Sequence, residues 1–335
     1  MSNTKQIISI TPALVDCDAV EMADSEFERR DLVFGPCHHN QRIDRVLVDL
    51  VPEFSRSYLQ QLIDTGGVWV NGKVVDKASL RVKLADRGSI ELRPTPQSQS
   101  FKAEQMALDL VFQDEHLLVI NKPAGLVVHP APGNWSGTLM NGLLGFDPLA
   151  FTLPRAGIVH RLDKDTSGLM VVARTRSVMD ALVRAIAARD VRRQYLALAH
   201  GAWRGSRLRQ VDSPIGRDPA NRLRMAVVDL ALHGGKLAVT DFACLADFER
   251  GCLVECTLHT GRTHQIRVHM ASILHPLVAD PLYGGAPAAG MQRQALHAFK
   301  LAFVHPVTLA PMAFGAPIPA DMLSALAQWG LKYNA

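Results

Sequence analysis

Cysteine is sparse in this chain of 335 residues: Cys17, Cys37, Cys244, Cys252 and Cys256 make an odd set with no C-x-x-C pair. That argues against a disulfide framework and against a zinc ribbon, and it suits a reducing, cytoplasmic setting. No apolar run approaches the roughly 18 residues that span a bilayer, so no membrane partner is expected. The opening MSNTKQIISITPALVDCD lacks a basic segment followed by an apolar core and a cleavage site, so no secretory signal is expected. Also missing are G-x-G-x-x-G, the P-loop and H-E-x-x-H. Their absence disfavours a nucleotide-binding parallel sheet and a zinc hydrolase, and no metal site is expected.

What is present begins with charge. Residues 1–40 hold three bases against seven acids, so the rest of the chain carries +8 within a total of +4. A basic working part is compatible with a polyanion partner, although a soluble surface would look the same. The acidic stretch shows no sustained periodicity and reads as a flexible N-terminal arm over 1–40. From Gln41 the pattern changes. RIDRVLVDLV puts Ile43, Val46, Leu47 and Leu50 on one helical face, and SRSYLQQLID predicts a second helix capped by Ser55. VWVNGKVV reads as a hairpin turning at Asn71-Gly72, closed by the strand GSIELRP. This unit, 41–94, holds nine Lys and Arg against seven Asp and Glu, with Arg42, Arg45, Arg56 and Lys73 on or near its helices and turn. RPTPQSQSFKAEQ is poor in apolar residues and predicts a linker at 95–106.

The remainder, 107–330, is dominated by strand-like runs: LDLVFQDEHLLVINKP, GLVVHP, GLMVVAR, RQYLALAHG, AVTDFACLADF and CLVECTLH. Helices are predicted at SVMDALVRAIAARD, capped by Ser177, and at THQIRVHMASIL, capped by Thr263. Without regular strand-helix alternation, the expected class is α+β with a mainly antiparallel mixed sheet. Cys252 and Cys256 share a strand face and read as core packing.

Three polar clusters stand out against this core. HRLDKDTSG at 160–168 feeds directly into a buried strand, where a carboxylate is costly unless paired and becomes a candidate base or nucleophile. HTGRTHQIR at 259–267 places His264 and Arg267 on one helical side, from which Arg267 could pair with a buried Asp. RRQY at 192–195 brings Tyr195 into a strand, on the face it shares with Ala197. Each has an ordinary reading as well: a charged turn, a snorkelling Arg and a packed Tyr.

Taken in order, INKPAGLVVHP, HRLDKDTSGLMVVA, RRQYLAL and GRTHQIRVHMASILHPLVADPLYGG resemble the RluA family of RNA pseudouridine synthases. QRIDRVLVDLVPEFSRSY to WVNGKVVDK resembles the S4 RNA-binding domain that some members carry in front. The resemblance covers about 41–320 and leaves the first 33 or so residues unmatched. It implies a small S4-like αβ RNA-binding domain ahead of an α+β synthase domain, acting on uridine in a stem-loop of large-subunit (23S) ribosomal RNA. A non-catalytic RNA-binding assembly factor on the same fold is the alternative. The family's aspartate falls on Asp163, its strand tyrosine on Tyr195 and its arginine on Arg267. By that resemblance Asp163 acts as nucleophile or base with neither cofactor nor metal, Arg267 keeps it ionised and oriented, and Tyr195 offers a flat face to the turning base. Arg161 fills the gap left by the extruded base, and Asp165 has no catalytic counterpart. His160, Arg262 and His264, with Arg42, Arg45, Arg56 and Lys73, are the further expected RNA contacts of a cytoplasmic monomer whose partner is ribosomal RNA or a pre-ribosomal particle.

Overall fold

A computed structural model describes residues 28–92, apart from Glu53 and Ser55, and 101–333, apart from Pro132. These fall into two compact units that divide between Thr95 and Pro96. Ser55, expected to cap the second helix, lies outside the described residues.

The smaller unit packs two helices on a four-stranded antiparallel sheet. Its elements are β1 (Glu28–Val33), α1 (Ile43–Leu50), α2 (Arg56–Asp64), β2 (Val68–Val70), β3 (Lys73–Val74) and β4 (Arg87–Leu92), in sheet order β1-β4-β2-β3. Ile43, Val46 and Leu47 of α1 and Leu59, Leu62 and Ile63 of α2 are buried against Val68 and Ile90 of the sheet. Asn71 and Gly72 both have positive φ, 50° and 73°, as a two-residue hairpin turn requires. The acidic arm is corrected at its end, since β1 pairs with β4 along all six of its residues. Only Leu32 and the following Phe34 turn inward, while Glu28, Arg29 and Asp31 stay exposed. An edge strand with so few apolar residues has too short an alternation to stand out from charged surroundings. Residues 1–27 of the arm lie outside the described residues.

The larger unit is built on a nine-stranded sheet. Its elements are β5 (Leu110–Gln113), β6 (Leu117–Lys122), α3 (Leu139–Phe146), β7 (Ser167–Ala173), α4 (Arg176–Ala188), β8 (Arg192–His200), β9 (Leu208–Asp212), β10 (Ile215–Arg217), β11 (Met225–Val227), β12 (Gly235–Lys236), β13 (Val239–Phe248), β14 (Gly251–Leu258), α5 (Gln265–Ser272), β15 (Leu296–Val304), β16 (Pro311–Gly315) and α6 (Ala320–Gln328). The sheet runs β5-β6-β7-β15-β8-β14-β13-β9, with β16 also on β15, and every pairing is antiparallel except β7 with β15. β10, β11 and β12 form a separate small sheet. Successive residues of β8 serve two cores: Tyr195, Ala197 and Ala199 face α3 and α5, while Leu196 and Leu198 face α6. Cys252 and Cys256 are both buried on the α5 side, and burial pushes the Cys252 thiol up to about 12, so it is inert packing.

Four local expectations change. GLVVHP is a loop, not a strand, because its Val127 and Val128 carbonyls accept from the first N–H groups of α3, Leu139 and Met140. α3 itself went unread because Gly142 and Gly145 interrupt it. These glycines admit residues 101–106, and a Cβ on Gly145 would lie 2.1 Å from the Glu104 carbonyl. The last part of the expected linker is therefore docked, with Asn141 donating to the Lys102 carbonyl and accepting from the Thr138 backbone in a capping box. Thr175 rather than Ser177 caps α4, accepting from Val178 N–H. α5 begins at left-handed His264 instead of a Thr263 cap, and Gln265 satisfies the turn by accepting from Arg262 N–H and the Thr260 hydroxyl.

Candidate active site

The loop 160–166 delivers its polar groups at the start of β7, where the chain passes close to β15. Gly168 has φ 115°, and a Cβ there would meet the Ala298 carbonyl at 2.2 Å, so only glycine permits that approach. Asp163 sits just ahead of this point with its side chain 16% exposed. Arg267 reaches it from α5, Nη1 donating to Oδ2 at 3.0 Å. The rest of that guanidinium is held by Asp280, which accepts from Nε at 2.7 Å and Nη2 at 2.8 Å and is fully buried. Burial opposes the charge on Arg267, but the hydrogen bonds and charges of Asp280 and then Asp163 outweigh it and keep the guanidinium protonated. Asp280 thus fixes the arginine as a bidentate fork through Nε and Nη2, which leaves Nη1 to reach Asp163. Nothing in the spacing of the sequence marked Asp280 for this work.

The other oxygen of Asp163 is open. His264 Nε2 lies 3.9 Å from Oδ1, and its Nδ1 is 2.8 Å from the Tyr283 hydroxyl, which also accepts from Met225 N–H. With the oxygen of Tyr283 so occupied, its proton points to Nδ1, and the imidazole proton is assigned to Nε2, facing Asp163. Burial holds His264 below its ordinary pKa in spite of the nearby Asp163 charge, so the ring is neutral. Tyr283 also lies under Arg267, whose Cζ is 5.0 Å from the ring centre.

A second clamp grips the loop from below. Lys122, at the end of β6 and 1% exposed, donates its three N–H groups to the carbonyls of Pro123, Leu126 and Lys164 at 2.8–2.9 Å. Burial pushes its pKa down to about 8, against the opposing charges of Asp165 and Asp163. Arg293 adds a bond to the Asp165 carbonyl and is itself tied to Asp321. Lys122 and Arg293 escaped the sequence reading because a Lys after a strand and an Arg in a loop look solvated.

Asp163, Tyr195, Arg267, Arg161, His160, Arg262 and His264 all line one cavity of about 730 Å³, a size suited to a nucleotide-sized ligand. Tyr195 is 5% exposed and its hydroxyl makes no hydrogen bond among the described residues, and burial raises its pKa to about 12, so it keeps its proton. Arg161 is exposed beside Asp163, and its side chain makes no hydrogen bond among the described residues. Arg262 is partly committed, its Nε donating to the Leu237 carbonyl. His160 departs from its expected RNA contact: its Nε2 accepts from Val171 N–H and burial holds the ring neutral down to about 3. It braces β7 and offers no positive charge to a phosphate.

The four basic residues of the smaller unit are not equivalent either. Arg42 and Arg56 both hold the fully buried Asp44, so part of their charge is spent inside the unit, whereas Arg45 and Lys73 are exposed.

Comparison with known proteins places these features in context. Residues 116–272 match the family model described as RNA pseudouridylate synthase, and residues 41–87 match the S4 domain. A ribosomal large subunit pseudouridine synthase D of Neisseria meningitidis serogroup B is 47% identical over 298 residues, covering 85% of this chain and 78% of that protein. The protein of the same name from Xanthomonas campestris pv. campestris is 46% identical over 84% of this chain and 87% of its own length. Among solved structures, human RNA pseudouridylate synthase domain containing 1 superposes with a TM-score of 0.50 at 27% identity, covering 63% of this chain and 83% of that one.

Proposed function

Because the chain belongs to the RNA pseudouridylate synthase family, we propose that its cavity isomerises uridine in a stem-loop of large-subunit (23S) ribosomal RNA with Asp163 as the reacting carboxylate. The enzyme class follows from the family. The substrate follows the relatives, whose names specify the ribosomal large subunit. Asp163 is assigned as the reacting group because it is the one carboxylate lining the cavity among the described residues, and it carries an oriented oxygen on Arg267 and an open oxygen toward the substrate space.

The chemistry breaks the bond between uracil N1 and C1′, turns the base, joins C5 to C1′ and releases the C5 proton to water, while the freed N1 takes a proton up. The product is therefore an isomer of the substrate, with no net gain or loss of atoms or electrons. A carboxylate fixed at the sugar serves either route, attack at C1′ or removal of a proton at C2′. Tyr195 gives the turning uracil a flat wall. Arg161, free at the mouth, enters the stack that the flipped base has left. The S4 unit grips phosphates through its exposed Arg45 and Lys73, with Arg42 and Arg56 contributing what Asp44 leaves of their charge. The same reading sets the enzyme to work as a cytoplasmic monomer on ribosomal RNA or a pre-ribosomal particle.

Tritium release from C5-labelled ribosomal RNA tests the assignment. Asp163→Asn abolishes release while RNA affinity stays within about threefold, since affinity comes mainly from phosphate contacts, and Asp165→Asn retains most activity. Substantial release by the Asp163 variant would overturn it.

A further inference from the structure

Arg193 lies on β8 two residues before Tyr195 and on the same face, about 7 Å along the strand. It is only 6% exposed and lines the cavity, yet no acid lies within ion-pairing distance among the described residues, and its Nε has no hydrogen-bond partner. Arg267, across the same cavity, is held by two carboxylates. A guanidinium withdrawn from water and left without an anion is costly in the free protein. Its neighbours do not offset it: His160 is neutral, Tyr195 keeps its proton, and Asp163 is already bonded to Arg267.

The roof over Arg193 is Gly261. A Cβ there would lie 2.9 Å from Nη1, and the backbone of Gly261 does not have positive φ, so space and not conformation is what the missing side chain supplies. Gly261 is itself exposed, which leaves the guanidinium reachable from solvent through a gap with no side chain. The side chains of the rim arginines Arg155, Arg161 and Arg189 are exposed and make no hydrogen bonds among the described residues, so the rim carries unneutralised positive charge.

We propose that Arg193 is a built-in receptor for one phosphate of the RNA strand, the one next to the target uridine. The proposal rests on reading the cavity as the uridine site. A planar fork of N–H donors matches a phosphate, and the spacing along β8 separates a base on Tyr195 from a charge on Arg193 by about the distance between a base and its own backbone. Binding supplies the anion that the fold withholds, and it draws the sugar down toward Asp163. Arg193 is thereby a substrate-binding residue, complementary to the rim arginines that meet the strand outside.

The test uses the full chain and an RNA stem-loop in which either phosphate flanking the target uridine is replaced by a neutral methylphosphonate. In the wild type, one of the two replacements raises KM about tenfold to a hundredfold, the range for a hydrogen-bonded charge. Arg193→Gln raises KM similarly on unmodified RNA, and the methylphosphonate then adds little. The slope of log affinity against log salt falls by about 0.7, and Arg193→Lys restores part of it. Insensitivity of the wild type to both replacements overturns the proposal even if the variant fails to fold. A variant that loses only kcat, with slope and KM unchanged, also overturns it, because the contact is then to the base. Wild-type tritium release on unmodified RNA keeps the issues separate: its absence would sink the uridine reading, while normal release without phosphate sensitivity sinks this inference alone.

Discussion

In the smaller unit, Asp44 accepts from Arg42 at 3.0 and 3.2 Å, from Arg56 at 2.8 Å and from Gln60 at 3.2 Å. In the larger one, the Asp163 carboxylate accepts from Arg267 and, among the described residues, from no second donor within hydrogen-bonding distance. Both are acids near the start of an element and both are held by arginine, but one is saturated and fully buried while the other keeps an oxygen facing a cavity. The hydrogen bond from Arg42 leads the effects that hold the Asp44 carboxyl well below the usual range, against the opposing pull of burial. A carboxylate with donors on both oxygens is a staple. One with a whole oxygen left open can meet a ligand, and the protein keeps it so by satisfying the arginine elsewhere, on Asp280.

The largest effect should come from making Arg267 choose. Asp280→Asn removes its bidentate anion and leaves a buried cation with Asp163 alone. We expect a loss of about 3–5 kcal/mol in stability and a fall in kcat of at least about a hundredfold from a carboxylate pulled out of line. Urea unfolding and tritium release measure the two. A variant with normal kcat would mean that Asp163 needs no outside help to stay in place.

Next is the staple. Asp44→Asn should cost the smaller unit about 2–3 kcal/mol, seen as faster hydrogen exchange confined to residues 28–92, while kcat at saturating RNA stays within about twofold. If kcat collapsed, Asp44 would have to be counted with Asp163.

A third prediction separates the two units by acidity. Asp44 has a lowered folded pKa, so its contribution is intact above about pH 4 and lost below it. His160 also has a lowered pKa, about 3 against an ordinary 6.5, but as a base. Below about pH 6 the unfolded chain takes up a proton that the fold refuses, so stability falls with acidification by about 1.4 kcal/mol per pH unit for this one ring. His129 and His297, each pushed down to about 4 by burial, act in the same direction. His160→Gln keeps an acceptor for Val171 N–H and should flatten the pH 4–6 profile. Melting temperatures at pH 7 and 4.5 check this, and an unchanged slope would mean that the ring is already protonated.

The sequence made the chemistry-bearing loop legible because a charged string abuts an apolar run, a contrast that only a strand mouth produces. The turn at Asn71-Gly72 and the helical face carrying Arg267 were legible for the same reason, since period and turn chemistry are local. What escaped was long-range satisfaction. Asp280, Lys122 and Arg293 look like surface residues until the partners that bury them arrive from 13, 42 and 128 residues away. β1 escaped because its inward side chains are too few, and α3 because its glycines serve a neighbouring segment.

The Arg267 contacts also carry a timetable. Asp280 is 13 residues from Arg267, and Asp163 is 104 residues before it. A ribosome adding about 5–20 residues per second exposes Asp163 roughly 5–20 s before its arginine exists, and the arginine then meets Asp280 within a few seconds more. The Asp163 carboxylate therefore spends its early life in water, uncommitted, and the oriented pair is assembled only after the helix and the turn behind it have been made. No N-terminal fragment that ends before that helix can hold the pair, so the Asp163–Arg267–Asp280 arrangement is absent until residue 280 has been made.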